Sequence, residues 1–164
     1  MLRAFLTQPN VAYRNFQIVF TVLTLNFFTP AVVYLFAPDL AYGELDRLCA
    51  LFGWELMTAA ERGSEFWRFL GFSNVFALGF MCLLLQLDLR GRHPVLLPLL
   101  VLKGGSVVGA AWLFVFGSGH PFFALAVVFD GITMAAMVFF AGRAYRALPA
   151  DDVGLVPTPT PRFF

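Results

Sequence analysis

Four long apolar stretches, at about 15–37, 66–87, 95–117 and 121–142, alternate with polar breaks of unequal length. Each is close to the roughly 20 residues that a helix needs to cross about 30 Å of hydrocarbon. Asn10 stands where it can cap the first stretch. Pro94 and Pro121 stand at the starts of the third and fourth, where a missing N–H removes no helical bond. The breaks at 88–93 and 117–121 are tight, so the last three stretches are expected to pack as antiparallel neighbours. The break at 38–65 is longer and has a pattern of its own. Leu45, Leu48, Cys49 and Phe52 recur at helical spacing, Leu56 continues the stripe, and Glu44, Asp46 and Arg47 lie off it. That pattern predicts an amphipathic helix in the outer interface, serving either as a lid over the bundle or as a docking surface.

Composition turns these stretches into membrane spans. Of 164 residues, 60% are hydrophobic and 13% charged, and 21 are Phe. Soluble domains carry about 25% charged residues. A chain of this size cannot hide so much apolar surface from water, whereas lipid can take the place of water around it. The expected fold is therefore all-α: a four-helix transmembrane bundle over 15–147, with a lead at 1–14 and a proline-rich tail at 148–164. The first apolar stretch is longer than the core of a secretion signal and no cleavage site follows it, so it is read as a retained anchor.

Arginine sets the expected orientation. Arg3, Arg14, Arg90, Arg92, Arg143, Arg146 and Arg162 fall on one side, and Arg47, Arg62 and Arg68 on the other, among most of the acids. The positive-inside rule then puts both termini in the cytoplasm, with the protein expected in a bacterial inner (plasma) membrane. A net charge of +1 gives no reason to propose nucleic acid as a partner.

Each stretch carries one strongly polar residue near its middle: Asn26, Asn74, Lys103 and Asp130. Charge at the bilayer centre costs roughly 2.5 kcal/mol or more, so it is seldom placed there without a partner or a task. On straight helices Asn26 lies roughly 15 Å from one surface, and the other three lie roughly 12 Å from a surface. Pro30 is expected to kink the first span and to deprive the Asn26 carbonyl of its donor. A buried network is expected, with the Lys103 ammonium donating to Asp130, Asn26 and Asn74. The faces assigned inward are small or mildly polar: Val22, Asn26, Thr29 and Val33 on the first span, and Ala126, Asp130, Thr133 and Met137 on the fourth.

Other features have simpler uses. Trp67 and Arg68 would anchor the depth of the second span at the interface. The tail Val-Pro-Thr-Pro-Thr-Pro favours an extended spacer, and its end, Arg162, Phe163 and Phe164, could anchor a neighbouring subunit. No nucleophile–base motif, phosphate loop or metal-ligand spacing is present. The two histidines, His93 and His120, lie at the span ends, which disfavours haem within the bundle. No cofactor or metal is expected, although a lipid, quinone or pigment could sit at the bundle surface.

These features favour a non-catalytic accessory or scaffolding subunit, in contact with membrane lipids and other membrane protein subunits. The alternatives are a small oligomeric transporter or proton-coupled carrier working through Lys103 and Asp130, and a protein that binds a lipid or quinone.

Overall fold

The computed structural model describes residues 10–56, 65–117 and 119–148, with 65–70 described by backbone alone. Within them the fold is all-helical: α1 (Val11–Phe36), α2 (Pro38–Phe52), α3 (Glu65–Leu87), α4 (Leu96–Phe116) and α5 (Pro121–Ala147). One 3₁₀ turn, His93–Val95, leads into α4. Three helical segments, α1, α4 with its leading turn, and α5, are long and apolar enough to cross a membrane. In α3 the apolar run is Gly71–Leu87, which is shorter. The chain is a small helical membrane protein. As a helix α3 runs 23 residues, against 21 for α4.

The helix ends follow from local chemistry. The Asn10 side chain accepts from the Tyr13 N–H at 3.1 Å and so caps α1. At the other end, the Ala37 N–H bonds to the Val33 carbonyl at 2.8 Å, and Pro38 then starts α2. Gly53 closes α2 in the left-handed region, at φ 66°. There its N–H reaches the Ala50 carbonyl and that of Trp54 reaches the Cys49 carbonyl, the paired bonds of a Schellman ending. α2 forms where the amphipathic pattern predicted it. Cys49 is buried, Leu45 and Leu48 are half-buried, and Phe52 is exposed with its ring stacked on Trp54 at 4.8 Å.

α1, α3, α4 and α5 pack in a ring, each against two neighbours. α1 packs on both α3 and α5, α4 packs on α5, and α3 and α4 share the smallest of the four interfaces. The buried stripe of α1 is Tyr13, Phe16, Gln17, Phe20, Leu23, Thr24, Phe27 and Ala31, at helical spacing throughout. Leu78, Cys82 and Leu85 of α3 face it, with Met137, Ala141 and Ala144 of α5. The core is therefore aromatic on the α1 side. That corrects the expectation of small residues inward and bulky ones outward: Val22 is 60% exposed, while Phe16 and Phe20 are fully buried. Large rings bury more area than Val or Thr, so the ring-bearing face of α1 turns inward. On α5 the expected inward face is the one observed.

Two α3 glycines lie against α1 rings: a Cβ on Gly71 would stand 3.0 Å from the Tyr34 ring, and Gly79 is the tighter of the two. A Cβ on Gly79 would lie 2.8 Å from the Phe28 ring, so only glycine lets that ring rest on the α3 backbone. The buried cluster occupies the half of the bundle nearer Asn10 and Leu148. Toward the opposite end, α4 residues Val108, Trp112, Val115 and Phe116 are all well exposed.

Candidate functional site

Lys103 and Asp130 meet in the interior. The tight turn between α4 and α5 makes these helices antiparallel neighbours and brings the two residues to one level. Lys103 follows Leu99 by one turn on the buried stripe of α4, and Asp130 precedes Thr133 and Met137 on that of α5. The Lys103 ammonium donates to Asp130 Oδ1. The side chains are 8% and 15% exposed, which makes this a desolvated ion pair. The third wall is aromatic: the Lys103 ammonium lies 4.9 Å from the centroid of the Phe27 ring, itself 3% exposed. The electron-rich face of that ring supplies a second, weaker counter-dipole to the cation. Three helices are thus tied at one point by a carboxylate, an ammonium and a ring. Chemically, the arrangement is a closed ion pair with no net charge.

The wider network does not assemble. Asn26 and Asn74 are exposed, and neither side chain makes a hydrogen bond among the described residues. For Asn26 the reason is its position next to Phe27. One residue is about 100° of helix rotation, and it is Phe27 that occupies the inward position. Asn74 lies one turn beyond Leu78, and its neighbour Val75 takes the partly buried position against the cluster. Pro30 lies within α1, which continues through it to Phe36, on the exposed side of the helix. It leaves the Asn26 carbonyl without its usual donor four residues on.

A second polar cluster joins α1 to α3. The Gln86 amide nitrogen donates to Thr24 Oγ1 at 2.6 Å and to the Phe20 carbonyl at 3.0 Å. Its oxygen accepts from Thr21 Oγ1 at 2.8 Å. Gln17 donates to the Tyr13 hydroxyl at 2.8 Å and to the Gln86 carbonyl at 2.9 Å. Sequence reasoning passed over these residues because glutamine and threonine are only mildly polar. Tyr13, Gln17, Thr21 and Thr24 nevertheless repeat at spacings of four, four and three, the signal of a single helix face.

At the end that holds Arg14, Arg90, Arg92, Arg143 and Arg146, the last carbonyls of α5 are satisfied from elsewhere in the chain. Asn10 Nδ2 donates to the Ala147 carbonyl at 2.9 Å, and Arg90 donates to the Leu148 carbonyl. A helix C-terminus carries orphan carbonyls and partial negative charge, so an amide and a guanidinium are fitting partners. The Arg90 guanidinium also lies 5.5 Å from the Tyr145 ring centroid. At the far end His120 joins α5 to the segment after α2. One ring nitrogen accepts from the Phe122 N–H at 3.2 Å, and the other contacts the Glu55 carbonyl at 2.8 Å. The Trp54 ring stands edge-on to it at 6.5 Å.

Two open depressions lie on α5. One is bordered by Gly131, Ala135, Val138 and Phe139, with Arg146 at its end. The other is bordered by Ala12, Phe139, Arg143, Arg146 and Ala147. Neither is lined by Lys103 or Asp130. Cys49 and Cys82 are buried free thiols. Among the described residues no cluster of three or more His, Cys, Asp or Glu side chains could hold a metal ion. Trp67 and Arg68 fall in the first turn of α3, where only the backbone is described, and Arg162, Phe163 and Phe164 lie outside the described residues.

No protein-family model matches the chain, and no curated protein sequence or solved structure does either.

Proposed function

We propose that this chain is an integral membrane accessory subunit that packs against a larger membrane protein assembly, with its arginine-rich end in the cytoplasm. The observation that carries this reading is Asn26. It is an amide near mid-helix on a span, exposed, and without a hydrogen-bonding partner among the described residues. In hydrocarbon an unpaired amide is unfavourable, and a neighbouring helix that hydrogen-bonds it is the usual remedy. Thr29 and the freed Asn26 carbonyl lie alongside, so this face of α1 offers a donor and acceptors to a partner span. The interior supports the same reading: Lys103 is engaged by Asp130 and Phe27, which suits a fixed tie between helices.

Orientation follows from the five arginines gathered at the Asn10–Leu148 end, facing the membrane side where such residues are retained. A photo-reactive residue at position 26, activated in native membranes, tests the docking face. One discrete protein adduct is expected; adducts with lipid alone would remove the basis for a partner at this face.

A carrier centred on Lys103 and Asp130 is the second reading, favoured by the functional bias of ionisable residues within membranes. It requires the pair to open during a transport cycle. Flux into vesicles that is lost in a folded Lys103→Met/Asp130→Asn double variant would favour it.

A further inference from the structure

The outward face of α5 holds two shallow, open depressions that share Phe139 and Arg146 and together form a surface groove ending in two guanidinium groups. Gly131, Ala135, Val138 and Phe139 border its apolar part, and Arg143 and Arg146 border its end. Phe139 and Arg146 belong to both depressions, so the two join. The residues recur at intervals of three and four along one stripe of the helix. Gly131 and Ala135 keep its floor low, with open space where a Cβ on Gly131 would stand. Phe139, 54% exposed, and Val138, 50% exposed, form its walls. From Gly131 to Arg143 the helix rises about 18 Å. One leaflet of hydrocarbon is about 15 Å thick. The groove therefore runs from the level of Asp130 to the membrane surface.

Among the described residues no carboxylate compensates the charge at its mouth. The Arg143 guanidinium lies 5.4 Å from the Phe139 ring centroid, and Arg146 Nε donates to the Gly142 carbonyl at 3.1 Å. Neither arginine pairs with a carboxylate among the described residues. Two fork-shaped cations at the headgroup level, above an apolar trough one leaflet deep, match a phosphate ester bearing an acyl chain.

We propose that this groove is a binding site for one anionic glycerophospholipid of the leaflet at the arginine-rich end. Its phosphate is held by Arg143 and Arg146, and one acyl chain lies along Ala135 and Gly131. The Arg146 Nε–Gly142 bond presents the remaining guanidinium N–H groups to the headgroup. The inference holds whether or not the chain is a subunit of a larger assembly.

The test uses the full chain reconstituted in phosphatidylcholine bilayers, with spin-labelled phosphatidylglycerol and phosphatidylcholine as probes. The motionally restricted signal gives the affinity of each lipid at the protein surface. Wild type should prefer phosphatidylglycerol. Each of Arg143→Gln and Arg146→Gln should lower that preference about five-fold, and the double change about thirty-fold, towards the limit of no preference. Both side chains are exposed, so the fold should be retained. Ala135→Leu fills the trough and leaves the charges in place. It should weaken retention of both lipids at this site, which a site for free phosphate would not show. Equal affinity for the two lipids in wild type, or an unchanged preference in the double variant, would overturn the proposal. A preference that emerges only after residues 149–164 are deleted would also overturn it, since the tail with Asp151 and Asp152 would then be the occupant.

Discussion

Replacing Lys103 by Met and Asp130 by Asn, singly and together, measures whether the interior pair is a fixed tie. Both side chains are nearly removed from the surface, at 8% and 15% exposure, so solvent screens little of their interaction. Removing one partner strands the other charge, which costs about 3–5 kcal/mol in comparable buried pairs. The two single changes should differ. Asp130→Asn leaves the ammonium an amide oxygen and the Phe27 ring, a contact of about 0.5–2 kcal/mol, and should fall at the lower end. Lys103→Met leaves the buried Asp130 carboxylate with no cation and should fall at the upper end. The double variant removes both charges and should lie within about 2 kcal/mol of wild type. The coupling between the sites should then be about 6 kcal/mol. Unfolding in mixed micelles, titrated with dodecyl sulfate and followed by far-UV circular dichroism, reads all four free energies. Single changes that add, with coupling below about 0.5 kcal/mol, would refute the tie. So would single variants as stable as wild type.

Gln86→Leu should destabilise the chain by about 1 kcal/mol in the same titration, since it removes the donor to Thr24 Oγ1 and the Phe20 carbonyl and the acceptor for Thr21. Gly79→Ala should cost about 1–3 kcal/mol because its methyl group would enter the Phe28 ring, and Phe28→Leu added to it should recover part of that loss. No recovery in the double variant would place the strain elsewhere.

Much of the helical layout was legible in the sequence because periodicity and punctuation agreed. Asn10 caps α1, Pro94 stands in the turn that leads into α4, and Pro121 starts α5. The face of α5 was legible too, since Asp130, Thr133 and Met137 left only one stripe compatible with burial. The face of α1 was not. In a membrane protein the outward side is also apolar, so hydrophobicity does not distinguish lipid from core. Ranking small residues as inward chose Val22 and Asn26, whereas the area offered by Phe16, Phe20 and Phe27 determined the packing. Asn26 stays out of the network for that reason on α1, and Asn74 because Val75 beside it takes the inward position on α3. The Gln86 cluster escaped notice because its members are weakly polar one by one and acquire meaning only as a stripe. The groove on α5 depends on which side of the helix is left uncovered, and that is fixed by the packing of α1 and α4 against the other side.

Whether this chain works as part of a larger assembly is tested most directly by its native mass after gentle solubilisation from its own membranes. A discrete assembly containing other membrane proteins, lost when Asn26 is replaced by Leu while the isolated chain stays folded, is the predicted result. A single chain or a small homo-oligomer, unchanged by that substitution, would contradict the account and turn attention to Lys103 and Asp130 as a working site.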